Sequence, residues 1–190
     1  MTRVTRILGI SGSLRRDSHN TNLLRAAAEA AGPDVELEVY DGLKEIPPYD
    51  EDDDQHPRPA SVTRLVDAIA DADGVLFATP EYNSSIPGQL KNAIDWVSRP
   101  VATNVLRNKP VAVVGASTGA FGAVWAQAEL RKVLAAVGAR VLDLELPVPH
   151  AHTRFDDGAL TDEEIRARLA DAIEALAGEI RARQDAHAVA

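Results

Sequence analysis

The segment from Ser11 to Asn20 gathers hydroxyl, amide and guanidinium groups into one short stretch, Ser-Gly-Ser-Leu-Arg-Arg-Asp-Ser-His-Asn. It follows the apolar run Val4–Ile10 and precedes a helical pattern that begins near Thr21. Free N–H groups in the first turn of a helix, together with the helix dipole, favour an anion at such a turn. The side chains that would surround the anion are Ser11, Ser13, Ser18, Asn20, Thr21 and the planar guanidinium of Arg15. The sequence therefore predicts a site for a phosphorylated small molecule.

Several of these side chains also admit simpler roles. Ser18 or Asn20 would suit a helix N-cap, and Arg15 would suit a solvated loop. The glycine spacing differs from the common nucleotide-binding fingerprints, because the turn holds only Gly9 and Gly12 and lacks a Gly-Lys-Ser/Thr triplet. A nucleoside triphosphatase is therefore not expected.

Two further polar segments each come directly after a predicted strand. The first begins Pro80-Glu81-Tyr82-Asn83, and the second is Ala116-Ser117-Thr118-Gly119-Ala120. An aromatic side chain beside exposed amides suits a flat ring system, with the backbone N–H groups of Tyr82 and Asn83 facing acceptors on the ring. We expect the loop with Ser117 and Gly119 to meet the other two loops at one ligand site.

The elements that must position these loops follow from the alternation of β-branched runs with alanine-rich helical patterns. Strands are predicted near Val4–Ile10, Val35–Tyr40, Gly74–Thr79, Val111–Gly115 and Val141–Glu145. Helices are predicted near Thr21–Ala31, Ser61–Ala72, Gly88–Ser98, Phe121–Val137 and Asp162–Arg183. This pattern predicts an α/β three-layer sandwich with a five-stranded parallel sheet, commonly in the order 2-1-3-4-5. Strands one, three and four are then neighbours, so the three polar loops meet at one edge of the sheet.

Size and composition narrow the function further. The 190 residues fit a single domain over residues 1–190, and the net charge of −9 opposes nucleic-acid binding. No apolar run reaches the roughly 18 residues of a membrane helix, and the start lacks a secretory apolar segment. With no cysteine, thiol nucleophiles and thiolate metal sites are excluded. We expect a cytoplasmic protein without membrane contact or a metal, and we interpret the acid run Asp50–Asp54 as a solvated loop.

Three stretches together carry a resemblance to a known family. They are Gly12-Ser13-Leu14-Arg15 with Ser18 and Asn20, then Pro80-Glu81-Tyr82-Asn83 continuing through Ile86–Trp96, and finally Leu130-Arg131. In these stretches the chain resembles the NADPH-dependent FMN reductases, a flavodoxin-like group that includes chromate, quinone and azo-dye reductases. The resemblance covers roughly residues 4–141.

The resemblance implies non-covalent FMN, with NADPH or NADH as the electron donor and a flavin, quinone, azo or similar small molecule as the acceptor. It implies that the isoalloxazine ring contacts the loop from Pro80 to Asn83, with the Ser117 loop beside it. It also implies that the phosphate contacts Ser13, Arg15, Ser18, Asn20 and Thr21. Hydride transfer at flavin N5 would give ping-pong kinetics and require no catalytic side chain. The family also implies a homodimer. Many members carry Gly-Gly-x-Arg where this chain has Gly122-Ala123-Val124-Trp125, which leaves open whether a tetramer forms.

Two alternatives remain open from the sequence. Gly115-Ala116-Ser117-Thr118-Gly119 matches the elbow of a serine hydrolase, and Asp143 or Asp156 followed by His150 or His152 has the chain order of a triad. A flavodoxin-type electron carrier would use the same FMN site without being an enzyme. No segment distinguishes NADPH from NADH.

Overall fold

A central parallel sheet with helices on both faces organises the chain, as the alternating pattern predicts. The computed structural model describes residues 3–188. Its helices are α1 (His19–Ala30), α2 (Ala60–Asp71), α3 (Gly88–Val97), α4 (Val124–Ala136) and α5 (Glu163–Ala188). The strands of the sheet are β1 (Thr5–Ser11), β2 (Val35–Tyr40), β3 (Gly74–Ala78), β4 (Pro110–Ala116), β5 (Arg140–Val141) and β6 (Pro147–Val148). The strands β7 (Phe155–Asp156) and β8 (Ala159–Leu160) form a separate antiparallel pair.

The predicted strand order is confirmed. The strands lie in the order β2-β1-β3-β4-β5 and pair in parallel. In register, Ser11 lies opposite Ala78, and Ala78 lies opposite Val114. The Gly12 N–H extends the pairing of β1 with β3 by donating to the Ala78 carbonyl over 2.8 Å. The loops after β1, β3 and β4 therefore leave the sheet at nearly the same level.

The two faces of the sheet are covered by different helices. Helices α1 and α5 pack on one face, and α2, α3 and α4 pack on the other. The stripe predicted for the last helix is confirmed, since its members are all buried on the sheet: Ile165, Leu169, Ile173, Leu176 and Ile180. Burying each such side chain contributes about 1.5–3 kcal/mol, so the sheet is a firm base for the loops at its edge.

The predicted fifth strand is wrong in extent. The chain is paired with β4 only over Arg140–Val141, leaves the sheet, and pairs with β4 again over Pro147–Val148. Between these pieces the Leu144 carbonyl accepts a 3.0 Å bond from Arg131 Nη1, and the Leu144 N–H donates to the carbonyl of Leu142 instead of to β4. The second piece runs beside the end of β4 and borders the Ser117 loop.

Helix α4 also begins later than predicted, at Val124 rather than Phe121. Gly122 and Ala123 both adopt left-handed backbone conformations, with φ of 60° and 62°, which a right-handed helix cannot include. A Cβ on Gly122 would lie 2.6 Å from the Val148 nitrogen, so glycine is required where this turn passes close to β6. The delayed start presents the first N–H groups of α4 to the loop that follows β3.

Candidate active site

The loop between β1 and α1 is shaped by its own hydroxyl groups. Ser18 is the N-cap of α1, since its Oγ accepts from the Thr21 N–H over 3.3 Å. Ser11 Oγ accepts from the Ser13 N–H, and Ser13 Oγ accepts from the Arg15 N–H, over 3.3 and 3.4 Å. A hydroxyl that accepts one bond keeps its own proton to donate. The capping role that the sequence allowed for Ser18 therefore remains compatible with a contact to an anion.

Asn20 joins this loop to the end of β4. The side chain is buried, its Nδ2 donates to the Ala116 carbonyl, and its Oδ1 accepts from the Ala116 N–H, each over 2.9 Å. Asn20 therefore positions the turn, and only the second hydrogen of its Nδ2 is left for a ligand. The Thr21 hydroxyl is likewise engaged, donating to Ser11 Oγ over 3.0 Å.

The loop after β3 forms a tight two-residue turn. The Tyr82 N–H donates to the Ser85 carbonyl over 3.0 Å and the Ser85 N–H donates back over 3.1 Å, while Asn83 and Ser84 have φ of 53° and 61°. These values match a type I′ turn, in which the N–H of the first central residue is left without a partner in the turn. The expectation that Tyr82 offers its N–H to a ring is therefore corrected, and the Asn83 N–H is the donor that this turn leaves available.

Glu81 holds the same loop against α4. Its Oε2 accepts from the N–H groups of Trp125 and Ala126, each over 3.1 Å. These are orphan donors of the first turn of α4, and a carboxylate there is also favoured by the helix dipole. Glu81 thus acts as a helix cap supplied from a different element, although it also borders the cavity described below.

The loop after β4 is fixed by backbone and side-chain bonds. The Ser117 N–H donates to the Val148 carbonyl over 3.1 Å, and Ser117 Oγ accepts from the Gly119 N–H over 3.1 Å. Among residues 3–186, whose side chains the structure describes, no histidine is hydrogen-bonded to Ser117. Asp143 is exposed and faces Arg131, 3.6 Å away. The triad that a serine hydrolase would need is therefore not assembled, and this alternative is not supported.

The three loops converge, as predicted, around a cavity of about 150 Å³. The expected site residues that line it are Ser13, Arg15, Ser18, Asn20, Pro80, Glu81, Tyr82 and Ser117. Ser11 and Thr21 line an adjacent cleft instead, together with Ser13 and Arg15. Asn83 and Gly119 are next to these lining residues in the chain, in the two loops just described.

His19 also lines the cavity and was missed by the sequence reasoning. Its ring lies 5.5 Å from that of Phe155, and its buried Nδ1 has no hydrogen-bond partner in the described part of the chain. Burial, and then the charges of Arg15 and His152, hold the pKa of His19 below its ordinary value. In the sequence, the signal that could have identified His19 is its position between Ser18 and Asn20, two of the expected site residues. An unpartnered buried nitrogen beside an arginine and a helix N-terminus fits a site that receives an anionic group.

Comparison with known proteins agrees with this geometry. Residues 5–153 match the family model described as NADPH-dependent FMN reductase, so the chain belongs to the NADPH-dependent FMN reductase family. The resemblance seen in the motifs is therefore confirmed, and with it an oxidoreductase that uses FMN and NAD(P)H.

Individual relatives are similar over nearly their whole length. The chain is 41% identical over 173 residues to an NAD(P)H-dependent FMN reductase of Pseudomonas aeruginosa, covering 90% of this chain and 92% of the relative. It is 39% identical over 181 residues to a 2-hydroxy-1,4-benzoquinone reductase of a Burkholderia species, with coverage of 94% and 98%. Among solved structures, FerB, a flavoenzyme NAD(P)H:(acceptor) oxidoreductase from Paracoccus denitrificans, matches with a TM-score of 0.84 and 38% identity, covering 94% of this chain and 98% of FerB.

The described part of the chain contains neither a membrane-spanning helix nor a cluster of metal-ligating side chains. Within residues 3–188, no helix is both long and apolar enough to cross a membrane. Among the side chains of residues 3–186, no group of three histidine or acidic residues comes close enough together to hold a metal ion.

Replacing Glu81 by alanine should lower the free energy of unfolding by about 1–2 kcal/mol, because two N–H groups of α4 lose a charged acceptor. Glu81→Gln should lose less, since its amide oxygen still accepts. Urea unfolding checks both values. Glu129→Ala is the matched control, because Glu129 is an exposed acid on α4 that does not cap the helix. A Glu81→Ala protein as stable as the parent would contradict the capping role.

Proposed function

We propose that the cavity at the meeting point of the three loops binds FMN and that the chain uses it to pass electrons from NAD(P)H to a quinone or a similar small acceptor. The observation that carries this proposal is the convergence of the β1, β3 and β4 loops on one cavity, in a chain that belongs to an FMN-using family.

The residues that would hold the phosphate lie at the N-terminus of α1. They are Ser13, Arg15, Ser18, the remaining Asn20 proton and the orphan N–H groups of the first helical turn, with Ser11 and Thr21 behind them. Pro80, Tyr82, the Asn83 N–H and the Ser117–Gly119 loop would border the ring. These groups bind and orient the cofactor, and none of them is required as an acid or base. FMN in this place supplies hydride acceptance and onward electron transfer.

Quinone-type acceptors are proposed from the relatives. The Burkholderia relative is named a 2-hydroxy-1,4-benzoquinone reductase, and a relative from Pseudomonas putida, 35% identical, is named a quinone reductase. The exposed ring of Tyr82 offers an aromatic edge to a flat acceptor at the mouth of the cavity. The electron-carrier alternative is not supported, because these relatives are named as reductases. A need for NAD(P)H favours the cytoplasm, where the reduced dinucleotide is regenerated.

A homodimer is proposed from the exposed aromatic surface next to the cavity. Phe121 is 62% exposed and Trp125 is 48% exposed, and their ring centroids lie 4.8 Å apart. Tyr82, 48% exposed, is the neighbour of the Glu81 that bonds to Trp125. Such a cluster of aromatic side chains on a surface marks an interaction site. A second copy covering it would place each cavity beside the subunit interface.

Purified protein loaded with FMN should oxidise NADPH in the presence of 1,4-benzoquinone, and double-reciprocal plots at several quinone concentrations should give parallel lines. Parallel lines are expected because donor and acceptor would occupy the same cavity in turn. Intersecting lines would contradict the alternating order. A protein that stays colourless with FMN, or that oxidises neither dinucleotide, would contradict the proposed function.

Replacing Arg15 by alanine should weaken FMN binding roughly 10- to 100-fold, because charge-assisted bonds to phosphate contribute about 1.5–3 kcal/mol and this side chain is exposed. Fluorescence titration of apo-protein measures the change. Riboflavin, which lacks the phosphate, should bind parent and variant alike, and Arg16→Ala is the matched control for loss of charge. Equal losses for FMN and riboflavin would rule out a phosphate contact by Arg15.

Exchanging both Phe121 and Trp125 for glutamine should shift the protein from dimer to monomer in sedimentation velocity, because the aromatic area that holds the subunits together is removed. Val101→Gln, at a 59% exposed position elsewhere, should leave the dimer unchanged. A monomeric parent, or a double variant that remains dimeric, would overturn the assignment of this surface.

A further inference from the structure

A second cavity, of about 530 Å³, adjoins the proposed FMN cavity and is rich in cations. We call it the basic cleft and define it by Arg15, Arg16, Arg25, Lys44 and Asp41, with Tyr40 and Leu43 on its apolar side. It lies toward β2, between α1 and the segment that follows β2, whereas the FMN cavity lies toward β3 and β4. Ser13 and Arg15 line both. The two cavities are thus separated only by the β1–α1 loop.

The charge of the basic cleft is largely uncompensated. Four cations face one carboxylate, although the whole chain carries a net charge of −9. Within residues 3–188, none of the four forms an ion pair; Arg25 only donates to the amide oxygen of Asn22, over 2.9 Å. The nearby Glu45 is instead paired with Arg64, over 2.9 Å. A concave surface with a local excess of positive charge concentrates anions from solution.

The apolar side of the basic cleft indicates which kind of anion fits. Leu14, 42% exposed, and the partly buried ring of Tyr40 lie in the same lining as the cations. Apolar and aromatic side chains beside phosphate-binding cations suit a nucleotide, whose base packs on the former while its phosphates meet the latter. The FMN phosphate is already accounted for by the neighbouring cavity. The reaction requires one other phosphorylated ligand, the pyridine dinucleotide.

We infer that the basic cleft binds the adenosine end of NADPH and reads its 2′-phosphate through Arg16 and Lys44, so that the protein prefers NADPH to NADH. This inference rests on the proposed function, because it assigns a second subsite to the same reaction. Because Ser13 and Arg15 line both cavities, the nicotinamide and the adenosine of one dinucleotide would occupy adjoining sites. NADH lacks the 2′-phosphate and would leave these two cations without a partner.

The test compares Arg16→Gln/Lys44→Gln with the parent as FMN-loaded proteins. The kcat/KM for NADPH should fall about tenfold, as expected for two exposed charge contacts, while the value for NADH stays within about twofold. Calorimetric titration with adenosine 2′,5′-bisphosphate should show the same loss, and adenosine 5′-monophosphate should bind both proteins alike. Arg6→Gln, an exposed cation at the opposite end of β1, is the control and should change none of these values.

The results distinguish a failure of this inference from a failure of the proposed function. Equal kcat/KM values for NADPH and NADH in an active parent would overturn the inference while leaving the proposed function intact. Equal losses for both dinucleotides in the double variant would also overturn it. A loss of FMN affinity in the double variant would mean that the cleft serves the flavin instead. A parent that oxidises neither dinucleotide would refute the proposed function itself.

Discussion

Two hydrogen bonds between the Asn20 side chain and the Ala116 backbone connect the first turn of α1 to the end of β4. Both are buried, and leaving either Ala116 group unpaired there would cost about 1–3 kcal/mol. Because the bonds join residues far apart in sequence, they fix the β1–α1 turn against the Ser117 loop. These bonds hold two of the loops that border the cavity against each other, and the Glu81 cap on α4 ties the third loop to a neighbouring element.

The architecture was predictable because it follows from patterns along the chain. Alternating strands and helices determine the sheet order, and the order brings the three loops together at its switch point. The roles of single side chains were not predictable, since they depend on partners distant in sequence. Asn20 and Glu81 are polar residue types that often bind ligands. In the structure, however, each forms hydrogen bonds mainly with backbone groups of another element. His19 was missed because its place between Ser18 and Asn20 hints at a role but does not show that its side chain faces the cavity.

The errors in element boundaries have the same origin. Nothing in the local sequence shows that the strand pairing is interrupted after Val141, where the Leu144 carbonyl bonds to Arg131 on α4 instead of to a strand. Helix propensity likewise does not explain why α4 begins only at Val124. The late start follows from the close approach of Gly122 to β6. The hydrolase motif around Ser117 illustrates the converse case. The motif has the expected strand before it, but Ser117 Oγ accepts from the Gly119 N–H, and no histidine side chain among residues 3–186 bonds to it. Spacing alone therefore does not make a nucleophile.

Charge is distributed so that an acidic chain keeps a cationic cleft beside the proposed FMN cavity. Arg15 lines both, and its guanidinium has five donors, but a dianionic phosphate on one side would satisfy most of its charge. Under the proposed function, FMN remains bound through the cycle, so Arg15 is neutralised before a dinucleotide arrives. Discrimination between dinucleotides must then depend on cations that line the basic cleft alone. Arg25 is already held by Asn22, which leaves Arg16 and Lys44 as the groups whose charge a 2′-phosphate would meet.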